Sequence, residues 1–129
     1  AETVTELKEA GIRVSLFISP EAAQLEAAQR LKVPVVELHT GTYCDLSGGA
    51  RITELKKVRA AAELADQMGI ECHAGHGLTF DTVKQIAAIP TIKELNIGHF
   101  LIAEAIFIGL PNAISEMKKL IRDARLTVY

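Results

Sequence analysis

Two short segments of this chain end an apolar run in glycine and histidine: His73-Ala-Gly-His76-Gly77-Leu and, about twenty residues later, Glu94-Leu-Asn-Ile-Gly98-His99. An amphipathic helical pattern follows each. An α/β protein presents backbone N–H groups and imidazoles to an anion in this way, because glycine lets the backbone come close and a helix N-terminus favours negative charge. Two such turns at successive strand ends point to one composite site for a phosphorylated metabolite. His76 has two small residues before it and Gly77 after it, so its imidazole stands free at a strand end, as a cap or as a general acid or base near pH 7. At the next turn the Gly98 and His99 N–H groups can hold a phosphate; a plain N-terminal histidine cap is the alternative.

Glu37 lies inside Val33–His39, a strand pattern, and a carboxylate there is costly to bury unless it is paired or working. It is either bound to a neighbouring His or Lys, or it is a proton-transfer group or a stabiliser of developing positive charge. His39, His73, His76, His99 and Cys72 raise a metal reading, but no C-x-x-C or H-E-x-x-H spacing supports it. Cys44 has no neighbour in sequence that would activate a thiol, so it reads as a surface cysteine. Thr40-Gly41 reads as a turn whose N–H groups could contact substrate.

These residues need a scaffold that brings strand ends together. Four strand candidates are enriched in β-branched and apolar residues: Ile12–Ile18, Val33–His39, Ile70–Gly75 and Glu94–Gly98. Helical patterns alternate with them over Pro20–Leu31, with Ser19-Pro20 as cap and first-turn proline, and over Ile52–Met68. Three more cover Thr79–Ile89, with Thr79 as cap, Phe100–Ile108 and Pro111–Arg125, whose basic end suits a helix C-terminus. An opening helix from Ala1 carries Val4, Leu7 and Ala10 at helical spacing and stops at Gly11. This alternation predicts parallel strands with right-handed crossovers. Gly41–Gly49 is the only long strand-to-helix loop, of the kind that binds ligands at the C-terminal edge of such sheets.

Period-two alternation puts Val36, Leu38, Cys72, Ala74, Leu95 and Ile97 on one face for the helices to cover. The other face collects Glu37, His39, His73 and Asn96. An ordinary parallel sheet is apolar on both faces, so this polar set points to an active-site lumen.

At 129 residues the chain is the size of one domain, and 49% hydrophobic content supports a core. A formal charge of −2 and a pI near 6.1 leave no electrostatic footprint for nucleic acid or an anionic membrane. The longest apolar stretch, Phe100–Leu110, contains Glu104 and is too short to span a bilayer. Cys44 and Cys72 make no disulfide framework, which points to a soluble protein of the reducing cytoplasm.

Val36-Glu37-Leu38-His39-Thr40-Gly41, His73-Ala-Gly-His76-Gly77-Leu-Thr79 and Glu94-Leu95-Asn96-Ile97-Gly98-His99 resemble, in order and separation, motifs of the pyridoxine 5′-phosphate synthase family. The similarity also takes in Gly11–Ile18 and Ala113–Leu120. That family folds as a (β/α)8 barrel of about 250 residues. The resemblance therefore implies a parallel TIM-barrel-type half-barrel: residues 1–129 as the C-terminal half, about four βα units, strands five to eight, beginning inside the helix before strand five. It implies condensation of 3-amino-2-oxopropyl phosphate with 1-deoxy-D-xylulose 5-phosphate, without metal or organic cofactor, by an enzyme that is a homo-oligomer at full length. By motif, His76 is similar to the family's proton donor and Glu37 to its transition-state stabiliser. Gly77, Gly98 and His99 are similar to its contacts with the aminoketone phosphate. The family's other catalytic His and Glu belong to the N-terminal half, so the resemblance implies no turnover by this chain alone. His73 stands where the family carries Asn, which keeps a donor and adds a titratable group. The alternative reading is a non-catalytic half-barrel that binds phosphate or self-associates through its sheet edges.

Overall fold

The computed structural model describes residues 2–126; the expected helix start at Ala1 lies outside them. Four strands, β1 (Ser15–Ile18), β2 (Val35–His39), β3 (Glu71–Gly75) and β4 (Ile92–Asn96), form one parallel sheet in sequential order. Helices alternate with them: α1 (Glu2–Glu9), α2 (Ala22–Arg30), α3 (Gly41–Asp45), α4 (Gly48–Gln67), α5 (Val83–Ala87), α6 (His99–Ile108) and α7 (Leu110–Leu126). The result is a half-barrel-like α/β sheet with its helices on one side.

Helix ends follow from local chemistry. At the end of α1, Gly11 has φ +76°, its N–H donates to Lys8 O and the Ile12 N–H donates to Leu7 O. The same reciprocal pair recurs after α4, where the Gly69 and Ile70 N–H groups donate to Asp66 O and Ala65 O. Both are Schellman caps that satisfy carbonyls the helix leaves free.

The alternation of side chains sets the packing. Val36, Leu38, Cys72 and Ala74 are buried under the helices with Leu25, Ala28, Val58, Ala62 and Ala65. A Leu38→Ala change there would cost about 2–5 kcal/mol. A smaller cluster holds Val83, Met117 and Leu120, with Leu95, Ile97 and Phe100 packed against it. Residues Ala113, Met117, Leu120 and Ala124 form the buried stripe of α7, and the Arg125 guanidinium donates to the carbonyls of Ile89 and Ile92. That arginine therefore ties α7 to the entry of β4, a tertiary role beyond the favourable charge at a helix end.

Several sequence boundaries move, each for a physical reason. Pro20 lies before α2 and not in its first turn: Glu21 is extended, at φ −124° and ψ 138°, and its N–H closes a tight turn onto Ser19 O. Strand β2 begins at Val35 because Pro34 has no N–H for the ladder. The expected loop Gly41–Gly49 is mostly helical, as α3 and the start of α4. Tyr43 anchors α3, 1% exposed, and its hydroxyl contacts Thr82 O at 2.9 Å and Gln85 Oε1 at 3.0 Å. Glycines at 48 and 49 hide the first turn of α4 from propensity. Thr79 does not cap a helix directly; its N–H is bound by Thr82 Oγ1 at 2.9 Å, and α5 starts only at Val83.

Strand β4 starts at Ile92, two residues before the expected Glu94. A bulge explains why the sequence hides this. Cys72 pairs with Ile92 but His73 pairs with Glu94, so Lys93 is the extra residue. The bulge lets Ile92 enter the helix-side core while Glu94 and Asn96 keep the concave face.

Candidate functional site

The concave face carries Glu37, His39, His73 and Asn96, as alternation predicts. Phe17 joins them, since β1 and β2 pair Phe17 with Glu37, and β2 and β3 pair Glu37 with His73. Two polar regions result.

Toward the N-terminal ends of the strands, Arg13, Glu71, His73 and Glu94 pair with one another. Arg13 Nη2 donates to Glu71 Oε2 at 2.8 Å, and His73 Nε2 donates to Glu71 Oε1 at 2.8 Å. His73 Nδ1 lies 3.4 Å from Glu94 Oε1. The His73 hydrogen bond, then that of Arg13, hold the Glu71 carboxyl below its ordinary range.

Toward the C-terminal ends the groups are open. Asn96 Nδ2 donates to Glu37 Oε2 at 2.9 Å, so the partner of Glu37 is a neutral amide, where the structural one of its two readings had a His or Lys. This bond crosses β3, which lies between the two strands. It is possible because Gly75 has no side chain: a Cβ there would lie 2.2 Å from Glu37 Oε1 and 2.9 Å from Asn96 O.

His76 follows Gly75 and leaves the sheet at φ +75°, a left-handed conformation that costs an L-residue about 1–2 kcal/mol. Thr40 holds it there. Its Oγ1 lies 2.7 Å from both Gly75 O and His76 O, and its N–H donates to Gly75 O at 2.8 Å. Gly77 continues the turn at φ +81°, with Cys44 so close that a Cβ would meet it at 3.1 Å. The Thr40-Gly41 amides are therefore not free for substrate, because the Gly41 N–H donates to His39 Nδ1 at 3.2 Å. The His39 and His76 rings stack, 4.6 Å between centroids and 25° between planes.

Across the cavity, α6 begins at His99 after Gly98. Its first intrahelical bond runs from Ile102 N–H to Gly98 O. The N–H groups of the first turn, from His99 onward, thus point out of the helix without an intrahelical acceptor. Gly98 has no internal need for glycine: its φ is −119° and a Cβ would meet nothing within 4 Å. Glu37, His76, Gly77, Asn96, Gly98 and His99 all line one open cavity of ≈ 760 Å³, walled by Phe17 and Phe100. Phe80 braces Phe100 edge-on at 4.8 Å.

The remaining candidates fall outside this chemistry. Burial pushes the Cys72 thiol up to about 12, and burial first of all raises that of Cys44 as well. Among the described residues no three His, Cys, Asp or Glu side chains converge as metal ligands, and no helix is long and apolar enough to cross a membrane. Sequence reasoning missed Phe17 and the clamp at Thr40. Alternation along β1 could have found the first; the second depends on contacts between strands.

The arrangement offers an imidazole, a carboxylate and a helix N-terminus around one cavity, which suits proton transfer on a phosphorylated substrate. Comparison with known proteins bears on which one. Residues 1–123 match the family model described as "Pyridoxal phosphate biosynthesis protein PdxJ". The chain is 59% identical over 119 residues to the pyridoxine 5′-phosphate synthase of Rhodospirillum rubrum, covering 92% of this chain and 48% of that protein. It is 53% identical over 129 residues to the synthase of a Jannaschia species, at 97% and 52% coverage. With that of Caulobacter vibrioides it shares 50% over 130 residues, at 98% and 51%. The chain spans about half the length of the curated relatives it matches. With nearly all of its residues inside the family model, this chain belongs to the PdxJ family of pyridoxal phosphate biosynthesis proteins.

Proposed function

We propose that residues 1–129 are the C-terminal half of a (β/α)8 barrel, strands five to eight, of a pyridoxine 5′-phosphate synthase. In this reading the full protein is a cytoplasmic homo-oligomer acting on two phosphorylated small molecules. It condenses 3-amino-2-oxopropyl phosphate with 1-deoxy-D-xylulose 5-phosphate to pyridoxine 5′-phosphate. The observation that carries it is the shared cavity: Glu37 and His76 open onto the same space as the free first-turn N–H groups of α6.

Imine formation, loss of water and ring closure each move protons, and His76 and Glu37 supply groups that can do so. His76 donates a proton to the leaving oxygen. Glu37, oriented by Asn96, stabilises the positive charge that develops on the nitrogen side of the reacting carbons. Gly77, Gly98 and His99 hold the aminoketone phosphate through backbone N–H groups and one imidazole. Phosphate binding far from the reacting carbons supplies orientation.

Two measurements test this. Joined to the N-terminal half of the Rhodospirillum rubrum relative, the chain makes pyridoxine 5′-phosphate from the two substrates; alone it makes none. Turnover by the isolated chain would refute the division of the active site. In 15N-labelled chain, inorganic phosphate shifts the Gly77, Gly98 and His99 amide resonances; shifts confined to other residues would refute the phosphate site.

A further inference from the structure

The His76 imidazole is exposed at the cavity mouth, and neither ring nitrogen has a hydrogen-bond partner among the described residues. A proton-transferring histidine is ordinarily oriented by a third group bound to its far nitrogen. Here two aromatic side chains among the described residues lie against the ring. His39 stacks on it at 4.6 Å, and Phe17 lies 6.4 Å from it and 5.1 Å from His39.

His39 is itself held firmly. Its Nδ1 accepts the Gly41 N–H, which leaves the ring proton on Nε2. The ring lies flat across Gly41, where a Cβ would come 2.4 Å from His39 Cε1 and 3.0 Å from His76 Cδ2. Position 41 therefore has to be glycine for the two imidazoles to overlap. Thr40, the residue between them, bonds to the carbonyl of His76 at 2.7 Å. The segment His39-Thr40-Gly41 thus fixes both the backbone and the ring of His76: Thr40 grips the peptide and His39 the imidazole.

We infer that His39 is a positioning residue that sets the orientation of the His76 ring by stacking, in place of a hydrogen-bonded partner. This rests on the proposed role of His76 as proton donor. The stack occupies a ring face and leaves both His76 nitrogens without a hydrogen-bond partner among the described residues, so one is available to a substrate in the cavity and the other to water. A carboxylate partner would occupy one of them.

Two variants separate ring from hydrogen bond. His39→Asn keeps an acceptor for the Gly41 N–H but has no ring to stack; His39→Phe keeps the ring but has no acceptor. In the barrel completed as above, His39→Asn lowers kcat about 10- to 100-fold, the scale of a misplaced reacting group, with KM near that of the parent. His39→Phe recovers most of that loss. In the labelled chain, the His76 ring-proton resonances lose their ring-current shift in His39→Asn and keep it in His39→Phe. Equal losses of kcat in both variants would overturn the inference, as would a change confined to KM or no change in the His76 ring signals. If His39→Asn does not fold, His39→Gln makes the same comparison, again an acceptor without a ring. His76→Asn keeps the two ideas apart. If it leaves kcat intact, the proton-donor reading fails; if it lowers kcat while His39→Asn does not, only the positioning role fails.

Discussion

The concave face holds two polar regions built from similar residues and arranged in opposite ways. At its N-terminal end, Arg13, Glu71, His73 and Glu94 pair with each other. At its C-terminal end, around a cavity, His76 and His99 have no ion-pair or side-chain hydrogen-bond partner among the described residues, and Glu37 accepts a hydrogen bond from the neutral Asn96 amide. The same side-chain types thus serve cohesion in one place and availability in the other. Residue type alone would make His73 and His76 equal candidates, although they stand three positions apart. What separates them is backbone: His73 sits in the ladder opposite Glu37, and His76 has left it with a positive φ.

Disturbing the open region is therefore expected mainly to change catalysis, and disturbing the paired one mainly stability. The largest effect is expected for His76→Asn in the completed barrel. It keeps a hydrogen-bonding group but cannot exchange protons near neutrality, so kcat falls roughly 10²–10⁴-fold while KM changes far less. Steady-state kinetics check this, and a raised KM at normal kcat would make His76 a binding contact.

Next comes Gly98→Val. With open space where the Cβ would go, the urea midpoint stays near that of the parent. Affinity for inorganic phosphate, read by titration of the amide resonances, drops by about 1.5–3 kcal/mol, or roughly 10- to 150-fold, as anion-binding N–H groups are screened. A stability loss without a loss of phosphate affinity would place the need for glycine in the fold.

Gly75→Ala probes the boundary between the regions. Its methyl group enters the space of the Glu37 carboxylate and the Asn96 carbonyl, so urea unfolding shows a loss of about 1–3 kcal/mol from overpacking. Activity falls in parallel, because Glu37 can no longer reach Asn96.

The smallest effect belongs to the paired end. The folded protein holds Glu71 below its ordinary value of 4.5, so ionised Glu71 contributes stability above that value. The contribution is lost as the pH falls from there through the lowered folded-state value. Glu71→Gln should flatten that acid limb of the stability curve and leave the phosphate-induced amide shifts unchanged at neutral pH. Because Arg13 and Glu71 are both partly solvated, added salt should shrink the difference.

Much of this molecule is legible in the sequence. The four strands, their parallel order and the polar face follow from alternation between β-branched runs and helical patterns, because burying one face of each strand under helices forces period two. Gly11 stops α1 for a local reason, as positive φ is cheap for glycine alone. Where local signals conflict with tertiary demands, the sequence misleads. Tyr43 turns a glycine-rich stretch into helix by packing beneath α5, and Lys93 looks like part of a linker because a bulge leaves it outside the pairing.

For the site, the sequence determined which residues could do chemistry and which side of the sheet they occupy, since residue type and alternation are properties of the chain itself. It could not determine their partners. Glu37 meets Asn96 across an intervening strand, Thr40 grips His76 from another strand end, and His39 stacks on His76 over a missing Cβ. These pairs join residues 36, 37 and 59 positions apart: Thr40 with His76, His39 with His76 and Glu37 with Asn96. Only the register of the parallel strands brings such residues within 3–5 Å, a distance at which hydrogen bonds and ring stacking act.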